Sequence, residues 1–425
     1  MSDETPGHLD RRSFLRRAAA AGIALPSFSA ILAACGSDEG GTTGSGTGGA
    51  TGGGATGGIQ LARPDNPVRL PVTADNPAIA DGLSPEAGPL RIFGYNDYIY
   101  KKVRKGFGEA YGVDVEYTVF DTPDEMVAKM RSGGSNYDLI VSVTLENIGK
   151  LAYGGLIQPL NHSYLTNFSN VWTELQDPYY DQGSQYTVPY TVYTTGIIVQ
   201  NDKVTDDVGA MEDPYDILWD PAWAGQTHLL NGSRDLLATA LMRMGEDINT
   251  EDEAVLDQAQ QMLLDGVDAM NWKFDHVDYN ELGDFAIHES WSGQVVYYQY
   301  YLPKGLGIDR FTYYWPPATS SAAGILTDDM LAIPKGAASP VLAHAMIDYL
   351  LDGDNALVNY GYEGYQPPLN SIDPDQLVAD GYVPENLANI LISPSDLGLG
   401  VQELELPAAT TQRYQQIYEQ VTGGA

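Results

Sequence analysis

Tyr137-Asp138-Leu139-Ile140-Val141-Ser142-Val143 is a short, mostly apolar run of strand length. It ends at Thr144, and a helical pattern begins near Leu145, so the run reads as a strand covered on both faces. Upstream, Leu90–Gly94 and Val113–Phe120 also have strand character, the second with alternating apolar positions. Thr122-Pro123-Asp124-Glu125 carries the marks of a helix start. Asp121 or Thr122 caps, Pro123 takes the first turn, and acids face the positive helix end. Met126 and Met130 then share one helix face. Downstream, Thr250 and Glu253 form a capping box ahead of Val255, Ala259, Met262 and Leu263. Leu326–Pro334 reads as a further strand and Pro340–Leu351 as a helix. Strands alternating with helices predict an α/β fold with a parallel sheet. No internal repeat is visible.

Open α/β sheets hold ligands beyond the carboxyl ends of their strands. The segments at those ends are Tyr95-Asn96-Asp97-Tyr98, Thr144, Asn231 to Asp235, and Thr327-Asp328-Asp329. Three of these four carry carboxylates, and the first also carries two tyrosines.

The composition narrows the chemistry. The 425 residues hold 22 Lys+Arg against 57 Asp+Glu, a formal charge of −35, yet charged residues are only 19% of the chain. The acidity is therefore a shortage of bases, which excludes the basic footprint of a nucleic-acid binder. It has two readings, a soluble or salt-adapted surface and a cationic ligand. Hydrophobic content of 43% supplies ample core for two or three domains. None of the six histidines forms H-E-x-x-H or another metal pair, and His276, near Asp275 and Asp278, reads as ordinary surface. The body lacks a Gly-x-Ser-x-Gly elbow, a P-loop and a dinucleotide fingerprint, and Asp352-Gly353-Asp354 lacks calcium-loop spacing. No cofactor or metal is expected. Tyrosine supplies 28 residues against 9 Phe and 6 Trp. Most pack in the core, but a tyrosine also offers a cation both a π-face and a polar tip.

The first residues read as an address. Arg11-Arg12-Ser13-Phe14-Leu15-Arg16-Arg17 has a twin-arginine pattern, an apolar stretch runs from Ala18 to Ala34, and Leu32-Ala33-Ala34-Cys35-Gly36 follows. Together they resemble a bacterial lipoprotein signal at residues 1–34, cleaved before a Cys35 that carries lipid. Cys35 is the single cysteine, so an intrachain disulfide is excluded. Removing 1–34 takes away three acids and four arginines and leaves 54 acids against 18 bases, net −36. Residues 35–89 are then expected to form a flexible tether, rich first in Gly and then in Pro.

Taken in order, several segments of the body resemble the spermidine/putrescine-binding proteins of bacterial ABC importers. They are Phe93 to Tyr98, Tyr137 to Val141, Leu165 to Asn170, Val188-Pro189-Tyr190, Trp219 to Gly225, Trp291-Ser292-Gly293 and Asp329 to Pro334. The similarity runs from about Leu90 to Gln420. It implies an α/β fold of the two-lobed, type II periplasmic-binding-protein kind, with the ligand cleft between the lobes. The lobes are expected at 90–193 with 325–360, and at 194–324 with 361–425.

By the same resemblance the ligand residues are Tyr95, Asp97, Tyr98, Thr144, Asp235, Trp291, Asp329 and Tyr365. Tyr95 and Trp291 would be stacking walls, and Asp235 and Asp329 ammonium partners. The sequence departs from the family pattern at several positions, and beside Thr144 the neighbours Val143 and Leu145 replace Ser and Tyr. Tyr95 and Thr327 stand where Trp is usual, and a carboxylate just before Asp235 is replaced around Gly232-Ser233. The resemblance implies a monomeric, lipid-anchored, non-enzymatic protein that captures a polyamine-like cation outside the cytoplasm and passes it to an ABC permease. Alternatives are the same role for a sugar, an aminophosphonate or an amino-acid derivative, a sensor that signals to a receptor, and an anchored extracellular hydrolase using Asp97 and Asp329 as paired carboxylates.

Overall fold

Two strands carry the architecture. In the computed structural model, β4 (Thr187–Gln200) and β9 (Ile325–Ala332) pair antiparallel at the centre of a sheet ordered β2-β1-β3-β9-β4-β7-β5-β6, with β8 also on β4. The remaining strands are β1 (Leu90–Gly94), β2 (Val115–Val119), β3 (Leu139–Thr144), β5 (Thr227–Leu230), β6 (Lys273–Asp275), β7 (Ile287–Trp291) and β8 (Phe311–Tyr314). The described residues are 60–133, 136–275, 285–302, 307–315 and 324–423. The leader, Cys35 and the tether up to residue 59 lie outside them, as does His276 with Asp278.

The sheet is mixed, where the alternation of elements predicts a parallel one. β2, β1 and β3 are parallel at one end and β6, β5 and β7 at the other, but β9 and β4 run antiparallel to their neighbours. The reason is topological: a chain that builds two α/β halves must cross between them and return.

One core extends from the first half to Ile198, Phe285, Phe311 and Tyr313, and the second half has a further core of its own. On one side Leu90, Ile92, Leu139, Val141 and Leu331 pack with helices α1 (Lys101–Tyr111), α7 (Pro340–Leu350) and α8 (Gly353–Glu363). The opposite face of the same strands, through Phe93, Ile140, Val143 and Met330, packs on α2 (Pro123–Arg131) and α3 (Leu145–Tyr153). β3 is thus covered on both faces, as its apolar run predicts. In the other half Ile197, Val199, Leu229 and Ile287 pack on α4 (Ser233–Met244), α5 (Glu253–Met270) and α10 (Ala408–Thr422). The C-terminal part divides between the two. Leu369 to Ile392, with α9 (Pro374–Ala379), joins the first core, whereas Val401 and Leu406 to Val421 join the second and Leu404 packs back on the first half beside Met330.

Two local expectations are revised. Thr122 caps α2, accepting the Glu125 N–H at 3.1 Å. At α5 the cap is Asp252, which accepts from the Ala254 and Val255 N–H groups, while Thr250 accepts the Asp252 N–H. The aspartate lies nearer the helix and adds a charge that its positive end favours. Residues 60–89 are not a free tether either. Val68 and Leu70 alternate into the first half, each 2% exposed, and the Glu86 carboxylate accepts from the Val341 and Leu342 N–H groups at the start of α7. Two buried aliphatic residues and a satisfied helix terminus hold this segment down. No described helix is long and apolar enough to cross a membrane.

Candidate ligand-binding site

A cavity of about 570 Å³ opens where the strand ends of both halves face each other. All eight residues singled out in the sequence line it: Tyr95, Asp97, Tyr98, Thr144, Asp235, Trp291, Asp329 and Tyr365. Its volume suits a small organic ligand.

Asp329 is held by an unusual backbone arrangement. Both strands beside β9 shift register next to it, β3 between Val141 and Val143 and β4 between Pro189 and Thr191. Each shift leaves one residue extra, Ser142 on one side and Tyr190 on the other. Ser142 has φ of 73°, in the left-handed region that a non-glycine residue rarely adopts. The bulge delivers the Ser142 hydroxyl to Asp329 Oδ2 at 2.8 Å, and Tyr98 donates to the same oxygen at 2.7 Å. Tyr193 reaches Oδ1 at 3.4 Å. The extra Tyr190 donates to the Tyr98 carbonyl and so fixes the loop that carries Tyr98. Three hydroxyls therefore hold the carboxylate, and among the described residues no lysine or arginine is recorded as an ion pair with it. Burial pushes its pKa up to about 6, against the three hydroxyl donors, which lower it.

The aromatic walls surround this carboxylate. The Tyr98 and Tyr365 rings meet edge to face at 5.1 Å, and Tyr193 and Tyr365 at 5.5 Å. Tyr365 lies flat over Gly293, where a Cβ would come 2.4 Å from the ring. Glycine is required there so that helix α6 (Ser292–Tyr297), which follows Trp291, can approach the ring. Tyr95 packs on Phe120, and Asp97, with φ of 55°, accepts from the Tyr297 hydroxyl at 3.1 Å.

The other end of the cavity is built by the second half. Asp235 sits in the first turn of α4, and its carboxylate folds back over Gly232, where a Cβ would lie 2.1 Å from Oδ2. A side chain at 232 would therefore require the Asp235 carboxylate to move. Arg234 is fastened by Asn249 at 2.7 Å, and its guanidinium lies over the Tyr414 ring. Its Nε lies 3.7 Å from Glu146 on α3 and 4.0 Å from Glu403.

The lining residues that escape a reading by strand ends include Glu146, Tyr193, Glu363 and Glu403. Tyr193 carried a usable signal, since Thr191, Tyr193 and Thr195 alternate along one face of β4. Glu146 and Glu363 lie two residues from Thr144 and Tyr365 but on helices, and Glu403 comes from an irregular return segment that nothing in the sequence ties to the cleft. Eight carboxyl groups and one guanidinium line the cavity: Asp97, Asp121, Asp124, Glu146, Asp235, Asp329, Glu363 and Glu403 with Arg234. Burial raises Glu403 to about 8 and puts Glu363 well above the usual carboxylate range. Among the described residues, no group of three His, Cys, Asp or Glu side chains could hold a metal ion. The arrangement is suited to desolvating a small cation between aromatic faces and carboxylates.

Known proteins match about two thirds of the chain. The family described as bacterial extracellular solute-binding protein matches residues 102–384. A putrescine/cadaverine-binding protein of Pseudomonas aeruginosa is 27% identical over 277 residues, 64% of this chain and 76% of that protein. A spermidine/putrescine-binding periplasmic protein of Escherichia coli is 28% identical over 304 residues, 68% and 82% of the two chains. Among solved structures, a spermidine/putrescine ABC transporter substrate-binding protein from Streptococcus pneumoniae superposes with a TM-score of 0.62 at 25% identity, covering 79% of this chain and 98% of the other. A putative spermidine/putrescine ABC transporter protein from Listeria monocytogenes gives 0.67 at 22% identity, covering 79% and 99%. The fold is the two-lobed, type II periplasmic-binding-protein fold.

Proposed function

The chain belongs to the bacterial extracellular solute-binding proteins, and from that premise we propose that it captures a polyamine-like cation and delivers it to an ABC permease. The observation that carries this reading is Asp329, a buried carboxylate held by three hydroxyls and surrounded by tyrosines, with no lysine or arginine paired to it among the described residues. An ammonium entering the cavity supplies that partner. A charge-assisted hydrogen bond contributes roughly 1.5–3 kcal/mol and each aromatic face roughly 0.5–2 kcal/mol. Two carboxylates and three rings thus contribute roughly 4.5–12 kcal/mol before the cost of association, and the upper end of that range supports micromolar affinity, about −8 kcal/mol. The names of the relatives, which bind putrescine, cadaverine or spermidine, support the same ligand class.

Function then follows from closure. Ligand seated against one lobe is completed by groups of the other, so binding favours the closed form, and the permease accepts that form. In this reading the chain is exported by its twin-arginine leader, held at the outer face of the membrane by lipid on Cys35, and works as a monomer without catalysis.

Isothermal titration with putrescine, cadaverine and spermidine tests the reading. Micromolar or tighter binding of at least one is expected. No heat and no thermal shift with any of the three, alongside binding of a sugar or an amino-acid derivative, would replace the amine with another solute.

A further inference from the structure

The loop of residues 95–100, between β1 and α1, carries Tyr95, Asp97 and Tyr98 into the cavity. Asp97 turns through a φ of 55°, and α1 begins without a side-chain cap. A loop of this kind takes its shape from groups elsewhere that bond its backbone. Tyr117 donates to the Tyr95 carbonyl at 2.7 Å and Tyr190 to the Tyr98 carbonyl at 2.5 Å, while Asn359 Oδ1 accepts the Tyr100 N–H at 2.8 Å.

The last two of these bonds meet at one residue. Asn359 lies on α8, is 3% exposed, and is not among the residues that line the cavity. Its Nδ2 donates to the Tyr190 hydroxyl at 2.8 Å and to Glu363 Oε1 at 3.3 Å. Chemistry fixes the direction of this chain. The Tyr100 N–H can only donate, so the oxygen of the Asn359 amide faces it and the nitrogen faces Tyr190. Tyr190 therefore accepts from Asn359 and directs its own hydrogen to the Tyr98 carbonyl. One turn further along α8, Glu363 Oε2 accepts the Tyr365 N–H at 3.0 Å. Positions 359 and 363 share a helix face, so a single turn of α8 holds both the segment of Tyr98 and that of Tyr365. The rings of those two residues are the pair that meet edge to face at 5.1 Å. A buried asparagine inside a helix is disfavoured both by propensity and by desolvation, and here its carbonyl and both amide hydrogens are engaged.

We propose that Asn359 is a positioning residue for ligand capture: acting through Tyr190 and Glu363, it sets the Tyr98 hydroxyl and the Tyr365 ring against Asp329 without touching the ligand. This rests on the reading of the chain as an amine-binding protein and adds to it the residue that fixes the geometry of the principal carboxylate. The groups that face Asp329 are the hydroxyls of Tyr98, Ser142 and Tyr193, with the carboxyls of Asp328 on its own strand and Glu363 on α8 within reach of its field. A Tyr98 hydroxyl no longer aimed at Oδ2 favours the ionised form less, so the pH at which amine affinity is half lost moves up. A residue that only stabilises the fold lowers the melting point and leaves that midpoint where it was.

The test is isothermal titration with putrescine, cadaverine and spermidine from pH 5 to pH 8, on the full chain, N359A, Y190F and the double variant. In the unaltered protein the midpoint is expected near the Asp329 pKa of about 6. Each single variant should weaken the tightest of the three amines severalfold, up to about tenfold, at pH 7 and raise the midpoint by about half a pH unit. The double variant should lose little more than either single one, because both cut the same chain. Melting curves show which variants fold. Y190F keeps its ring and cuts the chain one bond nearer the site, so its midpoint decides the matter where N359A does not fold. Midpoints that stay in place, or losses that add in the double variant, overturn the role of Asn359 while leaving amine capture intact. Absence of binding of all three amines by the unaltered protein overturns both.

Discussion

Asp329→Asn should make the empty protein more stable and useless as an amine binder. The carboxyl is 4% exposed and its pKa rises from an ordinary 3.8 to about 6, mainly through burial. That difference is worth ~3 kcal/mol, and the help given by Tyr98, Ser142 and Tyr193 is already contained in it. The sign follows from linkage. A carboxyl whose folded-state pKa is raised binds its proton more tightly when folded. Its contribution to stability is therefore fully present below pH 3.8 and is lost as the pH rises through about 6. At pH 7 the unliganded protein thus bears most of that ~3 kcal/mol as a penalty, which an uncharged isostere removes. The surrounding hydroxyls can turn to accept from an amide. For a body of this size ~3 kcal/mol corresponds to a rise of about 4 °C in Tm. The assay is differential scanning calorimetry of both proteins at pH 4 and pH 7, with and without putrescine. The gap should be near zero at pH 4 and open at pH 7, and putrescine should raise Tm only in the unaltered protein. A variant that melts lower at pH 7, or a gap independent of pH, would refute the view that this acid is strained until a cation arrives.

Two further outcomes follow from the same site. Amine affinity should rise about tenfold from pH 5 to pH 7, because protonated Asp329, with a pKa of about 6 when empty, must give up its proton while the amine stays charged throughout; titrations that are flat or falling over that range contradict it. Gly293→Ala places a Cβ 2.4 Å from the Tyr365 ring, so the ring must shift, with a loss of roughly 1–3 kcal/mol in stability and weaker amine binding, read by thermal melting and titration; an unchanged melting point and affinity would show that the ring is not held there.

What the sequence makes legible is what depends on short stretches. The run at Tyr137 to Val143 declares a doubly covered strand because burial on two faces needs apolar residues throughout, and strand ends then point to Tyr95, Thr144 and Asp235; Asp329, expected just past a strand end, lies instead inside β9, paired with Thr144 and Thr191. What stays hidden depends on partners. No pattern in Ser142 announces a left-handed residue, since the bulge exists only relative to β9. The antiparallel centre of the sheet is hidden for the same reason: strand direction is settled by which strands must cross. The emptiness at Gly232 looks like a lost carboxylate until Asp235 is seen folded over it, and Glu403 arrives from a segment with neither periodicity nor turn chemistry to mark its destination.

The fastening of residues 60–89 has a mechanical consequence. Their recorded attachments include Val68 to Tyr179, the Leu70 and Pro71 carbonyls to Gln185 and Tyr186, Asn76 to Ile157, Asn161 to Ile79, and Glu86 to the start of α7. These partners lie in the half that contains β1 and β3, but Arg63 Nη2 also donates to the Glu405 carbonyl at 2.9 Å, in the return segment that leads into α10. Tension applied at the leading end of the body is therefore carried mainly into the first half, and through Arg63 into that return segment. The half that contains α4, α5 and α10 is reached from the leading residues by this one stretch as well as through β4 and β9, so a pull at that end bears on both halves at once.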